Sequence, residues 1–253
     1  MQIDKKLKKI YNVIKVVGGF RSMQEKITKV STRVHHEKRL RKIFWITLGI
    51  ILFCLMLFYF VVGFIYNRGN FSINLEEDLY FDRGLIIYDD PEYKVFRTEL
   101  LAPSPNVFDE ILEYWLPEDI ASLGGGSHNG DNYLAYTFYI ENTSEETTEY
   151  WTEIIIEDVI KNVDDAVRIR LYRNKEPVTY AKLAHDGNPE PNTTPFVNEN
   201  LVSSLYVPDF TPGAIDEYTL VIYIDGDDLE CTDNILGGEF KVHMDFKSTG
   251  PSN

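Results

Sequence analysis

Hydrophobic and polar positions divide this chain into three stretches with different periods. From Ile43 to Tyr66 the sequence reads IFWITLGIILFCLMLFYFVVGFIY, without a single charge. A helix of that length covers about 36 Å at ~1.5 Å per residue, enough to cross a hydrocarbon core of about 30 Å with some tilt. A buried helix of a soluble protein keeps a polar face over such a length. The run ends in Phe64-Ile65-Tyr66-Asn67-Arg68, with no small-residue pair for a peptidase. The pattern therefore predicts an uncleaved membrane anchor over 43–66. Trp45, Tyr59 and Tyr66 suit the two interfacial belts.

Before the anchor the period is helical. In KKLKKIYNVIKVV, Leu7, Ile10, Ile14 and Val17 fall on one stripe, and Lys5, Lys6, Lys8, Lys9 and Lys15 lie mostly around it. Gly18-Gly19 is expected to break this helix, and a second, polar helix is expected over Ser22–Arg41.

After the anchor the period falls to two. Phe71–Asn74 and Leu79–Tyr88 contain strand-like stretches, and Asp89-Asp90-Pro91 is a turn signal. Val107, Phe108, Ile111, Leu112, Trp115 and Leu116 instead form a helical stripe, with Asn106 as N-cap and Pro117 as its end. Strands are expected over Asn132–Glu141, Trp151–Ile160, Ala166–Tyr172, Pro177–Leu183, Glu217–Asp225 and Glu239–Phe246, with a long loop over residues 184–200. In Asn132–Glu141 both faces are apolar or aromatic, as in a central strand. In Ala166–Tyr172, Val167, Ile169 and Leu171 occupy one face, and Arg168, Arg170 and Arg173 are read on the other. Strands at such intervals, separated by Gly/Pro/Asn/Asp turns, predict a mainly β, antiparallel, jelly-roll-like sandwich with a small helical insertion.

Charge orients these parts. The whole chain carries −15, yet residues 1–42 hold 13 Lys/Arg against Asp4, Glu25 and Glu37. The remainder carries about −25 and is rich in Tyr, Phe, Val and Ile, so it is a folded acidic domain. Basic residues before the span and acids after it place residues 1–42 in the cytoplasm and 67–253 outside. The basic segment is expected to meet anionic inner-leaflet lipids. No nucleic-acid fold or aromatic platform accompanies its charge, so no nucleic-acid partner is expected. Cys54 and Cys231 cannot easily pair, which argues against a disulfide-stapled scaffold. Glycosylation sequons occur at Asn70, Asn142 and Asn192.

The stretch NYLAYTFYIENT, the Thr211-Pro212-Gly213 turn before EYTLVIYIDGDD, and the ending ECTDNILGGEFKVHMDF resemble exported β-sandwich proteins of Gram-positive bacteria, the camelysin and TasA-type surface and matrix proteins. The resemblance covers roughly residues 132–247. It implies a surface or matrix role, and through camelysin it raises a metallopeptidase alternative. The chain departs from those relatives in keeping a long anchor behind its basic segment.

Candidate chemistry is sparse. There is no H-E-x-x-H, and His128, His185 and His243 lie in three separate segments. Ser127, His128 and Asp131 are close in sequence but lack the G-x-S-x-G elbow. Asp225, Asp227, Asp228 and Glu230 crowd one turn with the hard oxygen ligands that Ca²⁺ takes, and are the candidate calcium ligands. A solvated acidic turn is the competing reading. Asn70–Leu75 (NFSINL) is either the domain's first strand or a donor strand for a neighbouring copy. The sequence thus favours a membrane-anchored, non-enzymatic surface protein that binds another envelope protein or itself. The alternatives are a metal-dependent envelope enzyme and a transmembrane signalling or assembly component.

Overall fold

The structure, a computed structural model, describes residues 19, 23, 41–62, 71–103 and 108–250. The chain divides into two compact units, Met1–Asn67 and Arg68–Asn253. In the first, Gly19 is helical where a break was expected, and Met23 is helical, as expected of the Ser22–Arg41 stretch. The helical stripe over residues 5–17 falls outside the described residues. Helix α1 (Arg41–Val62) is long and apolar enough to cross a membrane. Its large apolar side chains are exposed all round, including Trp45, Phe53 and Tyr59. The expected last turn, residues 63–66, is outside the described residues.

The second unit is built from two sheets. The first contains β1 (Phe71–Leu75), β3 (Glu99–Ala102), β7 (Thr148–Ile160), β11 (Leu201–Phe210) and β13 (Glu239–Lys247), in the order β11-β7-β13-β1-β3. The second contains β2 (Leu85–Tyr88), β6 (Tyr133–Asn142), β8 (Val167–Arg173), β9 (Glu176–Ala181), β10 (Thr194–Pro195) and β12 (Ile215–Asp225), in the order β10-β9-β8-β12-β6-β2. Short strands β4 (Glu110–Ile111) and β5 (Gly126–Ser127) attach to β12 and β6.

The sheets are mixed, not purely antiparallel. β1 runs parallel to β13, β10 to β9, and β4 to β12. Strands from opposite ends of a domain are free of hairpin geometry and can pair in either sense. The Phe71↔Val242 register places β1 between β13 and β3 of its own domain. Phe71–Leu75 is therefore an internal strand, with Phe71 and Ile73 fully buried, which matches the first-strand reading and not the donor one; Asn70 is outside the described residues.

One core lies between the sheets. Ile73, Ile154, Met244 and Phe246 of the first sheet meet Leu134, Phe138, Ile169 and Leu220 of the second. Phe246 touches both Phe138 and Tyr218, with ring centroids 5.8 and 5.5 Å apart. Each such side chain contributes about 1.5–3 kcal/mol when taken out of water. β6 is internal, between β12 and β2, as its two apolar faces required. Its outer side, Ala135, packs with Val221 and Tyr223 under Ile111, Leu116 and Ile120.

That cover replaces the expected helix over 106–116. Asn106 and Val107 are outside the described residues, and the rest forms β4 and a 3₁₀ turn, Glu113–Trp115. The apolar residues that suggested one helical face are divided instead. Ile111 and Leu116 point into the small outer core, and Trp115 faces solvent, as does its neighbour Tyr114. Residues Glu77–Phe81 form a short helix, α2, which overlaps the start of the Leu79–Tyr88 stretch read as strand-like. β11 was not anticipated, because Pro208 interrupts it. The strand tolerates proline at the sheet's edge, beside a register shift between Val207 and Phe210.

A buried polar clamp closes one end of the core. Asp216, on β12, accepts hydrogen bonds from the Tyr150 hydroxyl, from Arg173 Nη2 at 2.8 Å and from Asn174 Nδ2 at 2.6 Å. Arg173 shares the parity of Val167, Ile169 and Leu171, not that of Arg168 and Arg170, which corrects its expected face. Burial raises the Tyr150 and Tyr218 phenols, so both stay protonated and able to donate.

Candidate functional site

Arg168 sits on the outer face of β8, yet it is only 3% exposed. The turn after β12 and the loop before β10 fold over it. Its Nη2 donates to Asp228 Oδ2 at 2.6 Å and to Glu190 Oε2 at 3.3 Å, and its Nε lies 3.2 Å from Asp225 Oδ2. Three carboxylates thus share one guanidinium.

The turn is shaped by its own side chains. Asp225 Oδ1 accepts the Asp227 amide, and Asp228 Oδ1 accepts the Glu230 amide. The Asp225 amide donates to Ala166 O, which ties the turn to the start of β8. Glu230 then reaches the other way. Its Oε1 accepts the His185 amide at 3.1 Å and lies 3.7 Å from His185 Nδ1. His185 Nε2 is 3.2 Å from Asp165 Oδ2, and Lys182 donates to both Asp164 and Asp165. The result is a continuous acidic corner in which Arg168, Lys182 and His185 are interleaved with six carboxylates.

Sharing one cation leaves the carboxylates unequal. Burial pushes Glu190 up, the Asp228 charge adds to this, and Arg168 only partly opposes it. Burial likewise raises Asp225 against the pull of Arg168. Burial would raise Asp228 too, but hydrogen bonds from Glu230 and Arg168 outweigh it and hold its carboxyl below the usual range. Asp228 is also the carboxylate nearest the guanidinium, at 2.6 Å against 3.2 Å for Asp225 and 3.3 Å for Glu190, and the corner keeps net negative charge.

Of the four candidate calcium ligands, the structure brings Asp228 and Glu230 together, with Glu190 as a third. Their ligand atoms lie within 4.8 Å of one another. Asp225 faces Arg168 from the other side, and Asp227 is exposed. Glu190 lies in a Pro/Asn-rich loop with no periodicity to mark it. The signal for Arg168 was present: an arginine on a strand between apolar neighbours requires carboxylates if that face is covered.

The other candidates have separate surroundings. His128 Nε2 contacts Thr137 Oγ1 at 2.8 Å, and burial lowers its pKa. His243 stands on the outer face of the first sheet, 3.5 Å from Asp245 and 2.9 Å from Glu157, the latter out of line for a hydrogen bond. Cys231 is half-buried beside the acidic turn. Burial raises its thiol, with Glu110, Asp228 and Asp225 adding to the effect. Asn142, one of the sequons, is fully buried, with its amide nitrogen bonded to Glu146 O and Phe210 O.

No protein-family model matches the chain, and no curated protein matches it. Among solved structures it is similar to the β-glucosidase from Kluyveromyces marxianus in complex with glucose. That match has 12% identity and a TM-score of 0.23, over 67% of this chain and 15% of that one. The Se-Met-labelled form of the same enzyme matches with a TM-score of 0.22, over 63% of this chain and 16% of that one. The chain thus spans a small fraction of these neighbours' length, and similarity at this level carries no argument about fold or function.

Proposed function

We propose that this protein is a single-pass, membrane-anchored surface module whose acidic β-sandwich is displayed outside the cell and binds another envelope or matrix protein. The observation that carries the reading is the division of the chain. An apolar helix with exposed sides, Arg41–Val62, precedes a separately compact acidic β unit. An exposed apolar helix needs lipid around it, and a β unit so heavily acidic suits the side away from the basic segment. The resemblance to camelysin and TasA-type proteins supports a structural or adhesive role. The acidic corner supports it too, because its carboxylates are engaged in holding loops to strands.

The topology is tested by adding protease to intact protoplasts. The β unit should be lost and the basic N-terminal segment retained. Protection of the β unit, with digestion of the N-terminal segment, would reverse the orientation and overturn the proposal.

A further inference from the structure

The 3₁₀ turn Glu113–Trp115 presents two aromatic side chains to solvent, Tyr114 at 75% exposure and Trp115 at 60%. They pack edge to face, with centroids 6.3 Å apart. Aromatic residues of this size usually bury most of their surface, and Trp and Tyr dominate the energetics of protein interfaces.

This pair is held in place before any partner arrives. On either side of it, Ile111 and Leu116 are buried against the second sheet, at 4% and 7% exposure. The Leu116 amide donates to Glu113 O, and Arg170 pairs with the Glu113 carboxylate. A rigid anchor loses little conformational entropy on binding.

The surroundings of the pair are acidic. Glu110, Glu118 and Asp119 are exposed around it. The Gly226 amide bonds to Ile111 O, which joins the exposed Asp227 turn to the same surface. Charge decides what can dock there. Residues 71–253 hold 11 Lys/Arg against 37 Asp/Glu, so a second copy would bring like charge to the contact. An anionic lipid surface would be repelled in the same way.

We propose that Tyr114 and Trp115 are the anchors of a docking surface for a basic protein segment, one that offers an apolar socket ringed by Lys or Arg. This rests on the binding role proposed above and names the chemistry of the partner.

The test uses the full chain in discs of zwitterionic lipid, with a fluorescent peptide alternating Lys and Leu as the probe. Matched Lys/Ser and Glu/Leu peptides, and vesicles with and without anionic lipid, serve as comparisons. The Lys/Leu peptide should bind best. The Tyr114→Ala/Trp115→Ala double variant should weaken that binding tenfold or more, about 1.4 kcal/mol or greater. Circular dichroism and melting temperature should stay unchanged, because both side chains are exposed. Affinity should also fall with salt, as the Debye length shrinks from about 30 Å at 0.01 M to about 10 Å at 0.1 M.

Equal binding by the double variant would reduce the surface to plain charge attraction and overturn the proposal. Preference for the Glu/Leu peptide, or for vesicles over every peptide, would overturn it as well. The protease result on topology is independent of all these outcomes, so failure here leaves the anchoring proposal standing.

Discussion

Replacing Arg168 by Met should expose how much of the acidic corner depends on one cation. Methionine keeps much of the aliphatic stem but removes the guanidinium that Asp225, Asp228 and Glu190 share. The site is dry enough for the effect to be large. The Arg168 side chain is 3% exposed, and those of Asp228, Glu190 and Asp225 are 0%, 11% and 18% exposed. Removing one partner of a buried ion pair costs about 3–5 kcal/mol, because the remaining charges stay desolvated and unpaired. For a domain of this size that lowers the melting temperature by roughly 6–20 °C, at about 2–4 °C per kcal/mol. Thermal unfolding of the full chain in neutral detergent, followed by near-UV circular dichroism, measures it. The variant also carries a signature that a simple packing defect lacks. Without the cation, Glu190 and Asp225, which burial already raises, lose the charge that opposes this and move further above their unfolded values. Their charge therefore costs more stability as pH rises, and acidification from neutrality should restore part of the loss. Millimolar Ca²⁺ should stabilise the variant more than the parent, because the ion replaces the missing positive charge among Glu190, Asp228 and Glu230. In the parent, Arg168 already fills that role, and Ca²⁺ and Mg²⁺ should act alike through screening. A melting temperature within 2 °C of the parent (~1 kcal/mol or less), with no response to pH or Ca²⁺, would refute the view that this cluster holds the corner together.

Asp216→Ala should lower stability by about 3–5 kcal/mol in denaturant titrations, since it strands Arg173 and leaves the buried Tyr150 hydroxyl short of its acceptor. Asp245, held down to about 2 with burial opposing and His243, Asn74 and Lys247 prevailing, should make Asp245→Asn cost about 2 kcal/mol near pH 5. A depressed carboxyl contributes stability above its unfolded pKa and loses it on acidification, so this difference should vanish as pH falls through about 2. Ile73→Ala in β1 should cost about 2–5 kcal/mol if the strand belongs to its own domain, and an unchanged melt would revive strand donation. Gly125→Ala should destabilise by about 1–3 kcal/mol, because its Cβ would stand 1.9 Å from Asp89 O, a backbone atom that cannot turn aside.

Local pattern fixed much of this protein. An apolar run needs nothing beyond its own length to be read as a helix fit for lipid, and α1 covers residues 43–62 of the expected 43–66, beginning two residues earlier at Arg41. Period-two alternation located β6, β7, β8, β12 and β13, because neighbouring side chains on a strand must face opposite sides whatever the partner strand is. Pairing partners were beyond its reach. The parallel β1–β13 pair joins residues more than 170 positions apart, and only the closed core decides that register. The 106–116 stretch misled for a related reason. A helical stripe and a strand followed by a tight turn place apolar residues at similar spacings, and the second outer core on Ala135, Val221 and Tyr223 chose the latter. The acidic turn was visible as a run of carboxylates. That its cation is Arg168 of β8, with Glu190 arriving from a loop, depended on tertiary folding, because charges pair by distance in space and carry no period along the chain.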